Sequence, residues 1–182
     1  MTSQGFESIA NELVAAIDLL SDSHLRVPAM LLLYAGIDIM ASLDRAESSV
    51  EVKPDDFVAW TSRYLLPDTH LECSAEDLYA ARCGLLHTYT AESRRSRKGK
   101  ARQIWYAWGD ASAEELQSLI DRTDVPAAVA VHVDDLRAAF RRAVERFKES
   151  LLDDSEKANL VHDRAHMFFG DLPVSPKVGN RC

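Results

Sequence analysis

The chain is poor in the residues that would fix its class by composition. Three cysteines among 182 residues, widely spaced and odd in number, exclude a disulfide framework and the paired spacing of zinc ligands. Seven glycines and six prolines are too few for a long disordered tract. No uncharged apolar run is long enough to span a membrane. The most apolar stretch, residues 27–43, is interrupted by Asp38 and predicts a buried helix with no membrane contact. The first residues lack the basic and apolar regions of a signal peptide. Positive charge is also short: a net of −8 argues against broad, nonspecific nucleic-acid binding. There is no internal repeat, no phosphate-cradling Gly-rich loop and no nucleotidyltransferase signature, so no cofactor is expected. A soluble cytoplasmic protein follows, with one domain over residues 1–170 and a loose tail over 171–182.

What is present is helical periodicity. Phe6, Ile9, Ala10, Leu13, Val14, Ile17 and Leu20 recur at the spacing of an amphipathic helix over about 5–21. Pro28 fits the first turn of a second helix ending near Leu43, and Pro54 with Asp55 and Asp56 opens a third. Ser74 and Asp77 form a capping box that starts a fourth helix running to about Thr90. Residues 104–108 and 128–133 are β-prone and predict a two-stranded ribbon, with a helix over about 112–121 between them. Asp134 is expected to cap a long helix with Leu136, Phe140, Val144, Phe147 and Leu151 on one stripe, and a last helix spans about 155–168. The fold class is therefore mainly α, a helical bundle with a small two-stranded β element.

The most informative residues lie in the fourth helix. Arg82-Cys83-Gly84-Leu85-Leu86-His87-Thr88-Tyr89 spells R-x4-H-x-Y. An arginine and a histidine converging on one phosphodiester suffice for metal-free RNA cleavage. The imidazole moves protons, and the guanidinium holds the charge that develops on phosphorus. On a helical wheel Arg82 falls at the centre of the apolar face, among Leu78, Tyr79, Leu85, Leu86 and Tyr89, with His87 turned about 140° from it at the edge. A guanidinium there needs a partner. Asp38, the one carboxylate in residues 27–43, is the predicted one. A basic segment follows, in which Arg94, Arg95, Arg97, Lys98, Lys100 and Arg102 oppose only Glu92. This segment is a candidate RNA-phosphate contact and equally a solvated loop.

Over residues 78–89 the pattern resembles the HEPN superfamily, whose ribonuclease members carry R-x4-6-H, and in particular the R-x4-H-x-Y toxin branch. The resemblance implies a homodimer whose paired motif helices form an RNA-cleaving cleft, with Arg82 and His87 catalytic and Asp38 orienting Arg82. Gly84 would ease the close helix approach. It also implies a nucleotidyltransferase antitoxin that attaches AMP to Tyr89, within a toxin–antitoxin or phage-defence module. The position after the arginine, polar in many active members, is Cys83 here, and some members keep the fold as noncatalytic binding modules. Three readings follow: a metal-independent endoribonuclease, a noncatalytic RNA- or partner-binding module, and a structural helical dimer in which Arg82 and Asp38 only fix packing.

Other features carry less. His162 and His166 have the i,i+4 spacing of a metal pair but lack the H-E-x-x-H context, which favours a solvated or helix-end role and no metal. Cys83 lies i,i+4 from His87 without an acyl-transfer signature and is expected to be a small core residue. Trp105, Tyr106 and Trp108 could stack bases but fit core or interface better.

Overall fold

The computed structural model describes residues 4–49, 51–88, 94–123 and 127–167. Helices dominate: α1 (Gln4–Asp22), α2 (Arg26–Asp44), α3 (Pro54–Trp60), α4 (Ala75–Thr88), a single turn α5 (Arg94–Arg97), α6 (Ala113–Ile120), α7 (Val133–Leu152) and α8 (Ser155–His166). Two five-residue strands, β1 (Gln103–Ala107) and β2 (Ala128–His132), complete the fold. The expected tail at 171–182 lies outside the described residues.

Local chemistry accounts for four of the helix starts. Pro54 occupies the first turn of α3, and the Asp56 carboxylate accepts from the Lys53 backbone N–H at 2.7 Å. The Ser74–Asp77 box is reciprocal, with Asp77 N–H donating to Ser74 Oγ at 3.1 Å and Ser74 N–H to Asp77 Oδ2 at 2.9 Å. The same device opens α6 through Ser112 and Glu115. At α7 the cap differs from expectation: His132 fills the role assigned to Asp134. Its Nδ1 accepts from the Asp134 backbone N–H at 3.2 Å, while Nε2 faces the Gly109 carbonyl at 3.1 Å. After Trp60 the chain continues through a π-helical turn, Thr61–Leu65, which rotates Tyr64 and Leu65 into the core.

The ribbon is parallel, with Gln103 opposite Ala128 and Ala107 opposite His132. Parallel neighbours cannot be joined by a tight turn. The crossover runs through α6, making a small β-α-β unit. α6 packs on the pair, and Gln117 tethers it by accepting the Ala130 N–H at 2.8 Å.

The core is continuous from α1 to α8. Trp60 sits at its centre against Tyr64, Phe140 and Phe147, and Phe6 meets Phe147 edge to face at 5.4 Å. α2 crosses this core and buries Leu33, Tyr34, Ile37 and Met40 completely or nearly so. It is the one described helix long and apolar enough to cross a membrane, and half of that window is buried inside the fold. The far end of α2 is closed by Arg164 from α8. That residue is 5% exposed, and its guanidinium donates to the carbonyls of Leu43 (2.9 Å), Arg45 and Ala46 (3.0 Å). Burial, then Arg45 nearby, lowers its pKa.

Candidate active site

α2 and α4 pack across each other beneath α3, bringing together two residues 44 apart in sequence. Arg82 Nε donates to Asp38 Oδ2 at 2.6 Å. The predicted pair is therefore present, but in a different setting. Each side chain keeps 23% of its surface accessible, so the pair is not sealed in a dry core. The wheel places Arg82 at the centre of the apolar face, yet α4 lies at the rim of the bundle, and its Arg82 edge opens on a cavity. Burial alone would lower the Arg82 pKa. The hydrogen bond and charge of Asp38, with a smaller contribution from Cys83, more than offset it and raise the guanidinium further.

The cavity measures about 420 Å³. Asp38, Ile39 and Ser42 come from α2, Tyr79 and Arg82 from α4, and the rest of the wall from residues 52–54 and Phe57. Tyr79 is the best supported aromatic in it. Phe57 meets it edge to face at 5.4 Å, and the Arg95 guanidinium lies over its ring at 4.8 Å. Burial first, then a hydrogen bond with Cys83 one turn on, raises the phenol's pKa. Cys83 is half-buried and engaged with Tyr79, not a core residue as expected. Gly84 is buried.

His87 lies in the last turns of α4, five residues and about 7.5 Å of helix rise beyond Arg82. Its side chain, that of Arg94 and the whole of Tyr89 lie outside the described residues. Of the basic segment, Arg95 bonds Glu76. Arg102 is anchored more firmly: its backbone N–H and side chain bond Asp77 at 2.6–3.0 Å, and Nη2 donates to the Glu72 carbonyl at 2.7 Å. Burial would raise the Asp77 pKa, but hydrogen bonds from Ser74 and Arg102 more than offset it and hold the carboxyl low. Arg97, Lys98 and Lys100 are exposed. The segment is thus partly structural, Arg95 tying α5 and Arg102 the start of β1 to α4, and partly a solvent-facing basic turn.

Several polar groups escaped sequence reasoning. Tyr34 and Tyr106, 72 residues apart, join hydroxyls at 2.5 Å in a part-buried contact, and burial, first of all, raises both pKa values. Tyr106 is half-buried and packs against the core, and Trp105 stays the more exposed aromatic of the strand. Cys73 beside them is pushed up to about 12 by burial and by Asp77. His162 and His166 bring their Nε2 atoms to 3.0 Å, but among the described residues no group of three or more ligating side chains forms. No known protein family, curated protein or solved structure matches the chain.

Proposed function

We propose that this protein is a HEPN-like, metal-independent endoribonuclease in which Arg82 and His87 act on one RNA phosphodiester. The observation that carries this reading is the setting of Arg82. A second helix holds the guanidinium through Nε, yet it stays accessible on a cavity wall. A pair that served packing alone would need no open face on a cavity. An oriented, accessible guanidinium is what an anionic transition state requires. His87 removes the proton from the 2′-hydroxyl, whose oxygen forms a bond to phosphorus. Arg82 stabilises the pentacoordinate phosphate. The bond to the 5′-oxygen then breaks with proton return, leaving a 2′,3′-cyclic phosphate and a 5′-hydroxyl. Within this proposal the chain works in the cytoplasm as a homodimer with two motif helices at one cleft. It is the toxin of a toxin–antitoxin or phage-defence pair, silenced when a nucleotidyltransferase antitoxin attaches AMP to Tyr89.

One observation favours a second reading. Cys83, in the position that is polar in many active members, is engaged by Tyr79, as suits a noncatalytic RNA- or partner-binding module. Inducible expression separates the two. Under the ribonuclease reading the wild type arrests growth, and His87→Ala at equal protein level does not. Arrest by both, or by neither, refutes it.

A further inference from the structure

The cavity beside Arg82 has a composition that a bare phosphate site does not need. A phosphate is met by cations and N–H donors, whereas most of this wall is carbon: Ile39, Val52, Pro54, Phe57 and the ring of Tyr79. Its volume of about 420 Å³ falls in the range of sites that enclose a small organic ligand. The polar lining is the Asp38–Arg82 pair, Ser42 and Lys53. The Lys53 ammonium has no carboxylate partner among the described residues and stands on the exposed rim. Tyr79 is fixed from two directions by Phe57 and Arg95, so its position is set before any ligand arrives.

An apolar, partly aromatic chamber joined to one oriented cation and rimmed by another fits a nucleotide, with its base inward and its phosphates outward. We propose that this cavity is a nucleotide subsite that receives the base next to the phosphate held by Arg82, with Lys53 meeting the adjacent backbone charge. The inference rests on the reading that Arg82 holds an RNA phosphate, and it adds the state of the substrate. A base can enter only after leaving the helical stack, so the chain recognises unpaired RNA and rejects the same sequence in a duplex.

Calorimetric titration of the full chain with the four nucleoside 5′-monophosphates tests the subsite without requiring catalysis. Saturable binding of at least one of them is expected. Val52, 48% exposed, can be enlarged with little risk to folding. Val52→Trp fills the chamber and should weaken that binding roughly tenfold or more, the scale of one lost base contact. Lys53→Gln should weaken it less, and only for ligands that carry phosphate. A nucleoside lacking phosphate should still compete. No saturable binding to wild type, or equal binding by Val52→Trp with an unchanged melting temperature, overturns the subsite. The two proposals fail separately. Nucleotide binding without RNA cleavage removes the ribonuclease and leaves the subsite. Cleavage of duplex and unpaired RNA at equal rates, undiminished in Val52→Trp, removes the subsite and leaves the ribonuclease.

Discussion

A double-mutant cycle on Asp38 and Arg82 measures whether the pair is held as the structure shows. The variants are Asp38→Asn, Arg82→Gln and the two combined, so that each removes charge and keeps most of the volume. At the observed contact distance of 2.6 Å, gross attraction at an effective dielectric near 20 is about 6 kcal/mol. Desolvating two ions that are three-quarters covered takes back much of it. The limits are about 0.2–1 kcal/mol for an exposed pair and about 3–5 kcal/mol for breaking one in a dry interior. With 23% of each side chain accessible, a coupling energy of about 1–2 kcal/mol is expected. Asp38→Asn alone should then lower Tm by roughly 3–6 °C in a chain of this size. Thermal melts followed by circular dichroism, together with urea titration of all four proteins, give the coupling. A value below about 0.5 kcal/mol would mean that Arg82 is not held. A value above about 3 kcal/mol would mean a dry bridge, which contradicts the accessible guanidinium on which the function rests.

Other expectations follow from the same structure. Arg164→Met keeps the bulk but strands three carbonyls at the end of α2, and chemical denaturation should show a loss of about 2–4 kcal/mol. Gly36→Ala improves helix propensity, but its new Cβ would lie 2.8 Å from Cζ of the core residue Phe140. The net effect should be destabilising by about 1–2 kcal/mol, and an unchanged or raised Tm would refute the packing described. Asp77 is held below its usual range, so its contribution is present above the unfolded pKa of about 3.9 and is lost as pH falls through the lower folded value. Stability curves of wild type and Asp77→Asn should therefore lie apart at neutral pH and converge in acid, whereas a constant gap down to pH 2 contradicts the assignment.

How far the site was legible in sequence depended on whether its partners were chemically isolated. Asp38 was the lone carboxylate of an apolar stretch and Arg82 the lone cation of an apolar face, so each pointed to the other without knowledge of the fold. The same held for Pro54 and the Ser74–Asp77 box, whose chemistry is local. Degenerate choices were not legible. Six cations follow α4, and nothing in their order tells that Arg95 and Arg102 turn inward to Glu76 and Asp77. The parallel sense of β1 and β2 was implicit in the helix between them, but the capping role of His132 was not, because Asp134 two residues later is the commoner cap. The π-helical form of the turn at Thr61–Leu65 has no sequence signal, although Phe57, Trp60, Tyr64 and Leu65 share the buried face that their spacing implies. Arg164 could not be foreseen, since the carbonyls it caps lie 118–121 residues away. Accessibility of the Arg82 pair was missed for a related reason: a wheel gives the face of a helix, and only its neighbours decide what covers that face.

The central claim is that Arg82 and His87 cleave RNA through its own 2′-hydroxyl, and end-group analysis of the products in EDTA tests it most directly. A single-stranded RNA and its counterpart with one 2′-deoxy sugar at the cut position are incubated with wild type, Arg82→Ala and His87→Ala. The account predicts cutting of the all-ribose strand by wild type alone, with a 2′,3′-cyclic phosphate or the derived 3′-phosphate on one product and a 5′-hydroxyl on the other. It also predicts an intact 2′-deoxy strand. Cleavage that vanishes in EDTA, persists at the 2′-deoxy site or survives His87→Ala would contradict it.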